Sequence, residues 1–310
     1  MTRTRNTITL ALAMAVATVA SPFPAQAKPA TKPAADTTPA HLAAACAGRD
    51  GWLDPAPPAR IFANTWYVGT CGISAILVTG DEGHVLVDAG AIGAAPAVLA
   101  NIRRAGFDPK DIRWIVASHE HHDHVGALAA LQRTTGAKIA ATSVQKAVLQ
   151  TGKPTPQDPQ FAGLDPIEPV RVDRTLADGD SVVVGKLAVT AHVTPVHAPG
   201  STSWTWQSCT AGFDCKMIAY VDSSSTISSG NYRFSDHADR IAAVRTGLAA
   251  MAALPCDVLL TPHPAASAMM ERFAGKQPLV DPGACRAYVG TAETRFAARL
   301  AEENAKEKTK

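Results

Sequence analysis

The sequence predicts an α/β chain folded as a four-layer αββα sandwich. A strand-then-helix pattern runs through the first half of the chain and recurs more loosely in the second, after a break over 151–169. The predicted strands of both halves are too apolar to face water on both sides of a sheet. Two sheets packed together with helices outside satisfy both observations. Composition agrees: with 46% hydrophobic and 18% charged residues, 310 residues can build a substantial core. Such a chain is neither a disordered acidic tail nor a polybasic nucleic-acid binder.

Residues 1–27 read as a secretory signal peptide. Arg3 and Arg5 lead an apolar run over 7–20, and Ala25-Gln26-Ala27 offers a small-x-small cleavage site. The run is too short to span a bilayer and is ended by Pro22 and Pro24. The expected location is therefore periplasmic or secreted, with no membrane attachment after cleavage. Cleavage removes two arginines and no acid, which takes the formal charge from +2 to zero. Long-range steering of a polyanion is not expected, so no nucleic-acid partner is expected. A monomer is the expected form. Residues 28–42, rich in Pro, Ala and Thr, read as a flexible linker, and 43–310 as the folded domain.

Within that domain, 64–78 and 84–89 read as strands joined by the turn Asp81-Glu82-Gly83. A helix is predicted over 94–105, a buried strand over 111–117, and a helix over 125–135 whose Val125, Leu128 and Leu131 share a face. Strand 138–141 and helix 143–150 follow. The Pro/Gly-rich stretch 151–169 is a loop long enough to suggest a functional one. Strands are then predicted over 170–172, 181–184, 187–193, 202–207 and 216–221, a helix over 237–254, a strand over 257–260 and a closing helix over 286–302.

Export changes how the six cysteines are read. An even set in an oxidising compartment is a disulfide framework rather than a thiolate metal site. Sequence alone selects none of the possible pairings. Joining neighbours in order gives Cys46 with Cys71, Cys209 with Cys215, and Cys256 with Cys285.

The chemistry concentrates in Ser118-His119-Glu120-His121-His122-Asp123-His124, between a predicted strand and a predicted helix. In an extended segment His119, His121 and Asp123 point the same way, and the turn into the helix swings His124 off that line. Asp123 by itself reads equally as a helix cap, and Glu120 and His122, out of phase, as solvent-facing or supporting groups. Four imidazoles and a carboxylate packed so closely point instead to metal. Two further histidines sit at predicted strand ends, where ligands converge in α/β layouts: His197, and His263 between two prolines. Five histidines and one aspartate, without cysteine, suit two zinc ions with positions left open for water. Two such ions can share a hydroxide whose parent water is acidified toward about pH 7, which implies hydrolysis without a protein nucleophile.

On these residues the sequence resembles the metallo-β-lactamase superfamily, marked by His-x-His-x-Asp-His and two distant histidines. Its nearest likeness is to the subclass B3 enzymes, through His197-Ala198-Pro199-Gly200-Ser201-Thr202-Ser203-Trp204, Tyr220-Val221-Asp222-Ser223-Ser224-Ser225 and Leu260-Thr261-Pro262-His263-Pro264. The resemblance covers nearly the whole mature chain and implies the metallo-β-lactamase fold. It implies that His119, His121 and His197 hold one zinc, and that Asp123, His124 and His263 hold the other. The implied activity is opening of the β-lactam ring of penicillins, cephalosporins and carbapenems, with Asp123 orienting the hydroxide. Ser223 and Ser225 would bind the substrate carboxylate, Gln157 and Phe161 in the 151–169 loop would close over it, and Asp88 would orient the metal loop. Lactonase-like and glyoxalase II-like relatives carry a metal-bridging aspartate near Ser223, and Asp222 is the rival for that place. Hydrolysis of lactones or thioesters, and zinc binding without catalysis, stay open as alternatives. The chain departs from the family pattern at Val196 and Ala265, where glycine is usual.

Overall fold

The computed structural model describes residues 36–307, with Thr2 apart from them. The signal peptide expected over 1–27 and most of the expected linker fall outside the described residues. The linker boundary at 42 is too late: helix α1 (Pro39–Ala45) is capped by Thr38, whose hydroxyl accepts the His41 N–H, and it buries Leu42.

The first sheet places its seven strands side by side in chain order: β1 (Ala59–Phe62), β2 (Thr65–Tyr67), β3 (Ile76–Val78), β4 (His84–Val87), β5 (Ile112–Val116), β6 (Lys138–Thr142) and β7 (Arg174–Leu176). Pairing is antiparallel from β1 to β4 and parallel from β4 to β7. The crossovers after β4, β5 and β6 carry α2 (Ala95–Arg104), α3 (His122–Val125) with α4 (Leu128–Thr135), and α5 (Ser143–Thr151). The second sheet contains β8 (Ser181–Val184), β9 (Leu187–Val193), β10 (Thr202–Cys209), β11 (Cys215–Tyr220) and β12 (Val258–Leu260), in the order β12-β11-β10-β9-β8. Only β11 and β12 pair in parallel there. Helices α6 (Ala238–Ala252), α7 (Met269–Phe273) and α8 (Ala284–Glu307) complete the chain.

Strand alternation builds the four layers. Val85, Val87, Ile218, Tyr220, Val258 and Leu260 meet Trp204 and Trp206 in the core between the sheets. Their neighbour Leu86 turns outward to Val98 and Leu131 of the first helical layer, while Ala219, Val221 and Leu259 turn to Leu248 and Val289 of the second. A period of two with both faces apolar is what a sheet covered on both sides requires.

The structure corrects several predicted elements. The strand expected over 64–78 is two antiparallel strands, because the chain turns tightly between them: a Cβ on Gly69 would lie 2.4 Å from the Ile73 carbonyl oxygen. The helix expected over 125–135 breaks into α3 and α4 at Gly126, where a Cβ would lie 2.2 Å from the His122 carbonyl oxygen. Val170 and Val172 form no strand; they pack under the first helical layer, and the strand comes later as β7. All three expected disulfides are present. Cys209 and Cys215 are register partners at the end of the β10–β11 hairpin.

Candidate metal centre

One edge of the sandwich collects the carboxyl ends of β4, β5, β9, β11 and β12; the candidate metal ligands follow β5, β9 and β12, Asp88 follows β4 and Asp222 follows β11, while Asp158 comes from the 151–169 loop. Asp88 follows β4 in the left-handed region, with φ of +63°. That conformation is uncommon outside glycine, although Asp, like Asn, tolerates it better than most side chains with a Cβ. It aims the carboxylate across at the next crossover. Oδ1 accepts the Ser118 N–H at 2.6 Å, and Oδ2 accepts the Ser118 and Tyr220 hydroxyls at 2.8 and 2.6 Å and lies 3.3 Å from His124 Nδ1.

After β5 the chain bends at Ser118, Glu120 and His121, then enters α3 at His122. The single extended run expected to carry His119, His121 and Asp123 on one side does not form: His119 and His121 leave the bent segment, while Asp123 and His124 leave one helical turn. His197 comes from the loop after β9. Ligand atoms of His119, His121 and His197 all lie within 4.8 Å of one another, and all three residues are buried. A second group, His119, Asp123 and His124, meets the same limit. His263, after β12, closes on that group: its Nε2 is 3.2 Å from Asp123 Oδ2 and 3.2 Å from His124 Nε2, and His124 Nε2 is 3.1 Å from Asp123 Oδ2.

The imidazoles are oriented from behind. His119 Nδ1 donates to Asp222 Oδ1 at 2.8 Å, His121 Nε2 donates to Asp158 Oδ2 at 2.8 Å, and His197 Nδ1 donates to the Ser225 carbonyl at 2.8 Å. Each bond fixes a tautomer whose lone pair sits on the other nitrogen, and those nitrogens face inward. His119 Nε2 is buried with no protein partner. A buried acceptor without a donor is expensive, so an inward lone pair surrounded by further nitrogens and a carboxylate fits a divalent cation. The donor set, imidazole and carboxylate without thiolate, suits zinc among others.

The charge states of two of the ligands support the same use. Burial holds His119 well below its ordinary range, and burial with the neighbouring His121 holds His197 down to about 3, so both present neutral rings. Burial would lower His124 too, but Asp123 and Asp88 lift it to about 10. Asp123, raised by burial, is pulled far below the usual carboxylate range by His124, His263 and His119. Burial pushes Asp222 up to about 7.

The sequence reading brings His119, His121, His197, Asp123, His124 and His263 to one place, with Asp88 behind them. Ser223 is buried beside Asp222 just beyond β11. Ser225 is used on His197: its carbonyl and its hydroxyl, the latter at 3.0 Å, both address Nδ1. Gln157 is exposed and hydrogen-bonds the Thr155 hydroxyl, and Phe161 is 46% exposed. Among the described residues, the loop hydrogen-bonds the ligand histidines through Asp158 and through Gln160, whose Nε2 is 3.2 Å from His197 Nε2, and the Asp165 N–H donates to His122 Nδ1 at 3.3 Å. Sequence reasoning passed over Asp158 and Gln160, because nothing in a Pro-rich loop marks which side chain turns inward. Glu120 is not solvent-facing. It is buried, and its Oε1 accepts the Gly200 N–H at 2.9 Å, which ties the histidine turn to the loop of His197. A Cβ at Gly200 would sit 2.4 Å from Glu120 Oε2, so a side chain there would displace that carboxylate.

Comparison with known proteins places this arrangement. Residues 68–213 match the family model described as the metallo-beta-lactamase superfamily. The crystal structure of the metallo-β-lactamase MIM-1 from Novosphingobium pentaromativorans is 59% identical, with a TM-score of 0.85 over 86% of this chain and 98% of that one. MEM-A1, a subclass B3 metallo-β-lactamase isolated from a soil metagenome library, is 37% identical, with a TM-score of 0.79 over 83% of this chain and 100% of that one. A probable metallo-hydrolase of Burkholderia pseudomallei (strain 1710b) is 28% identical over 183 residues, 55% of each chain. The chain spans about half the length of the curated relatives it matches.

Proposed function

The chain belongs to the metallo-β-lactamase superfamily, and on that premise we propose that it is an exported dizinc hydrolase of the subclass B3 kind, opening the β-lactam ring of penicillins, cephalosporins and carbapenems. The observation that carries the reading is the place of Asp222. Its Oδ1 is bonded to the outward nitrogen of His119, away from the inward lone pairs, so this strand offers Ser223 rather than a bridging carboxylate. That pattern favours a β-lactam over the thioesters and lactones opened by relatives with an aspartate bridge.

His119, His121 and His197 would hold one ion, and Asp123, His124 and His263 the other. When bound, such ions polarise a carbonyl and make water nucleophilic near neutral pH. The protein supplies the rest. Asp222, Asp158 and the Ser225 carbonyl fix three imidazole tautomers before substrate arrives, so that no reorganisation is needed during reaction. Asp123, kept ionised by its histidine neighbours, can accept a hydrogen bond from the attacking water and align it. Ser223, buried next to Asp222, would donate to the substrate carboxylate. Gln160, whose Nε2 lies 3.2 Å from His197 Nε2, would have to turn away when an ion binds there.

Steady-state assays of the zinc-loaded protein on a penicillin, a cephalosporin and a carbapenem test this. Turnover that chelation stops and zinc restores is expected, with thioesters and lactones spared. Absence of turnover on all three with two ions bound refutes the reading.

A further inference from the structure

Two arginines are buried in this protein without a carboxylate partner among the described residues, and each is spent on backbone carbonyls of a ligand loop. Arg240, in α6, is 7% exposed; its Nη1 and Nη2 donate to the carbonyls of Pro195 and Val196 at 2.5 and 2.7 Å, directly before His197. Arg272, in α7, is 6% exposed and spans the other loop. Its Nη1 donates to the Leu259 carbonyl at 2.5 Å, and its Nε and Nη2 donate to the Ser267 carbonyl at 3.3 and 3.1 Å. Nη2 also reaches the Ser267 hydroxyl at 3.0 Å; that hydroxyl is 2.8 Å from Thr261 Oγ1, which donates to the His263 carbonyl at 2.9 Å.

Burying a guanidinium without a counterion is costly, and an apolar side chain would fill the same space without that penalty. What the guanidinium provides instead is a rigid fork of donors, able to hold two carbonyls of one loop at a fixed spacing. The α6 seat is shaped for its loop in a second way. Gly247, seven residues after Arg240 and on the same helical face, has no room for a side chain: a Cβ would lie 2.8 Å from Val196 Cγ2 and 3.0 Å from the Pro195 nitrogen. The bulk of Val196 is thus accepted by Gly247, with Val244 packing in the same cluster.

We infer that Arg240 and Arg272 are the positioning residues of the two distant metal ligands, Arg240 for His197 and Arg272 for His263. Each metal position then depends on its own buried arginine. The short segment from His119 to His124 supplies ligands to both positions, but each site is completed only when a remote loop is held at the right height above its strand. The inference rests on the two-ion reading above.

Metal-free Arg240→Met and Arg272→Met proteins, in the full chain, are titrated with zinc against a chromophoric chelator, and with Co2+ while visible absorption is recorded. His197→Ala and His263→Ala provide the reference spectra of proteins with one site broken. Two ions are expected in the wild type. In each methionine variant one affinity falls about 10- to 100-fold, as for other groups that orient ligands, and the other is unchanged. The Co2+ spectrum of Arg240→Met should approach that of His197→Ala, and that of Arg272→Met should approach that of His263→Ala. Unaltered binding in both folded variants, equal loss at both sites, or the opposite assignment overturns the inference alone. Fewer than two ions in the wild type overturns the two-ion reading and the inference with it. Should a methionine variant fail to fold, Arg240→Lys and Arg272→Lys, which keep the charge and lose the fork of donors, carry the same assignment. Unaltered binding in those variants overturns the inference too.

Discussion

Asp222 Oδ1 stands 2.8 Å from His119 Nδ1, with both side chains sealed from solvent, so the central imidazole of the site is held in one tautomer by a carboxylate that never faces the cleft. Replacing Asp222 by alanine leaves the buried His119 N–H only the longer contact to the Ser118 hydroxyl, at 3.3 Å, and loosens the ring. Metal affinity should fall about 10- to 100-fold. Asp222→Asn, which still offers an acceptor, should lose less. Competition titration with a chelator checks both, and equal affinity of Asp222→Ala and wild type would show that the bond does not orient His119.

Metal removal should destabilise the whole domain, because the site joins both sheets. At free zinc about 100 times the dissociation constant, binding to the folded state alone adds about 2.7 kcal/mol. For a domain of this size that is a rise in Tm of about 5–10 °C. Thermal melts of the chelated protein with and without added zinc measure it; coincident melts would mean that the cluster does not bind the ion.

The 151–169 loop should act through Asp158 and Gln160. Asp158→Ala releases His121 and should lower kcat/KM by one to two orders of magnitude, about 1.4–2.8 kcal/mol of transition-state stabilisation. Gln160→Ala should raise KM with zinc stoichiometry intact, whereas Gln157→Ala should change little, since that side chain is exposed and bonded within its own loop. A larger effect at position 157 than at 158 would reverse this assignment.

His84 gives the fold an acid limit away from the site. Its ring is buried edge-on against Phe107, 5.1 Å between centroids, and burial pushes its pKa below the ordinary 6.5. The fold accommodates the neutral ring, so the contribution is whole above pH 6.5 and is lost as pH falls through the depressed value. The drop in Tm between pH 7.5 and pH 5 should therefore be smaller in His84→Leu than in wild type at fixed zinc. Parallel drops would remove His84 as a source of acid sensitivity.

Which features were legible in the sequence follows from how local each one is. Alternation through Val85, Leu86 and Val87, and again through Ile218, Ala219 and Tyr220, announced sheets covered on both faces. The run from His119 to His124 announced metal, since its spacing alone sets four donors on one turn. His197 and His263 stood out as strand-end histidines. Neighbouring cysteines, drawn together by short intervening segments, were paired correctly.

What the chain's order could not convey is which remote group stands behind each ligand. Asp158 behind His121, Asp222 behind His119, Arg240 beneath the loop of His197 and Arg272 beneath that of His263 are all separated from their partners by a crossover, a loop or a helix. Each is an ordinary polar residue in its own neighbourhood. The amino-acid sequence determined the ligand types and the layers, because periodicity and short spacing act within a single element. The tertiary structure alone decided the tautomers, the loop heights and the role of Asp222, because a hydrogen-bond donor acquires its acceptor only when two sheets and their helices have closed around both.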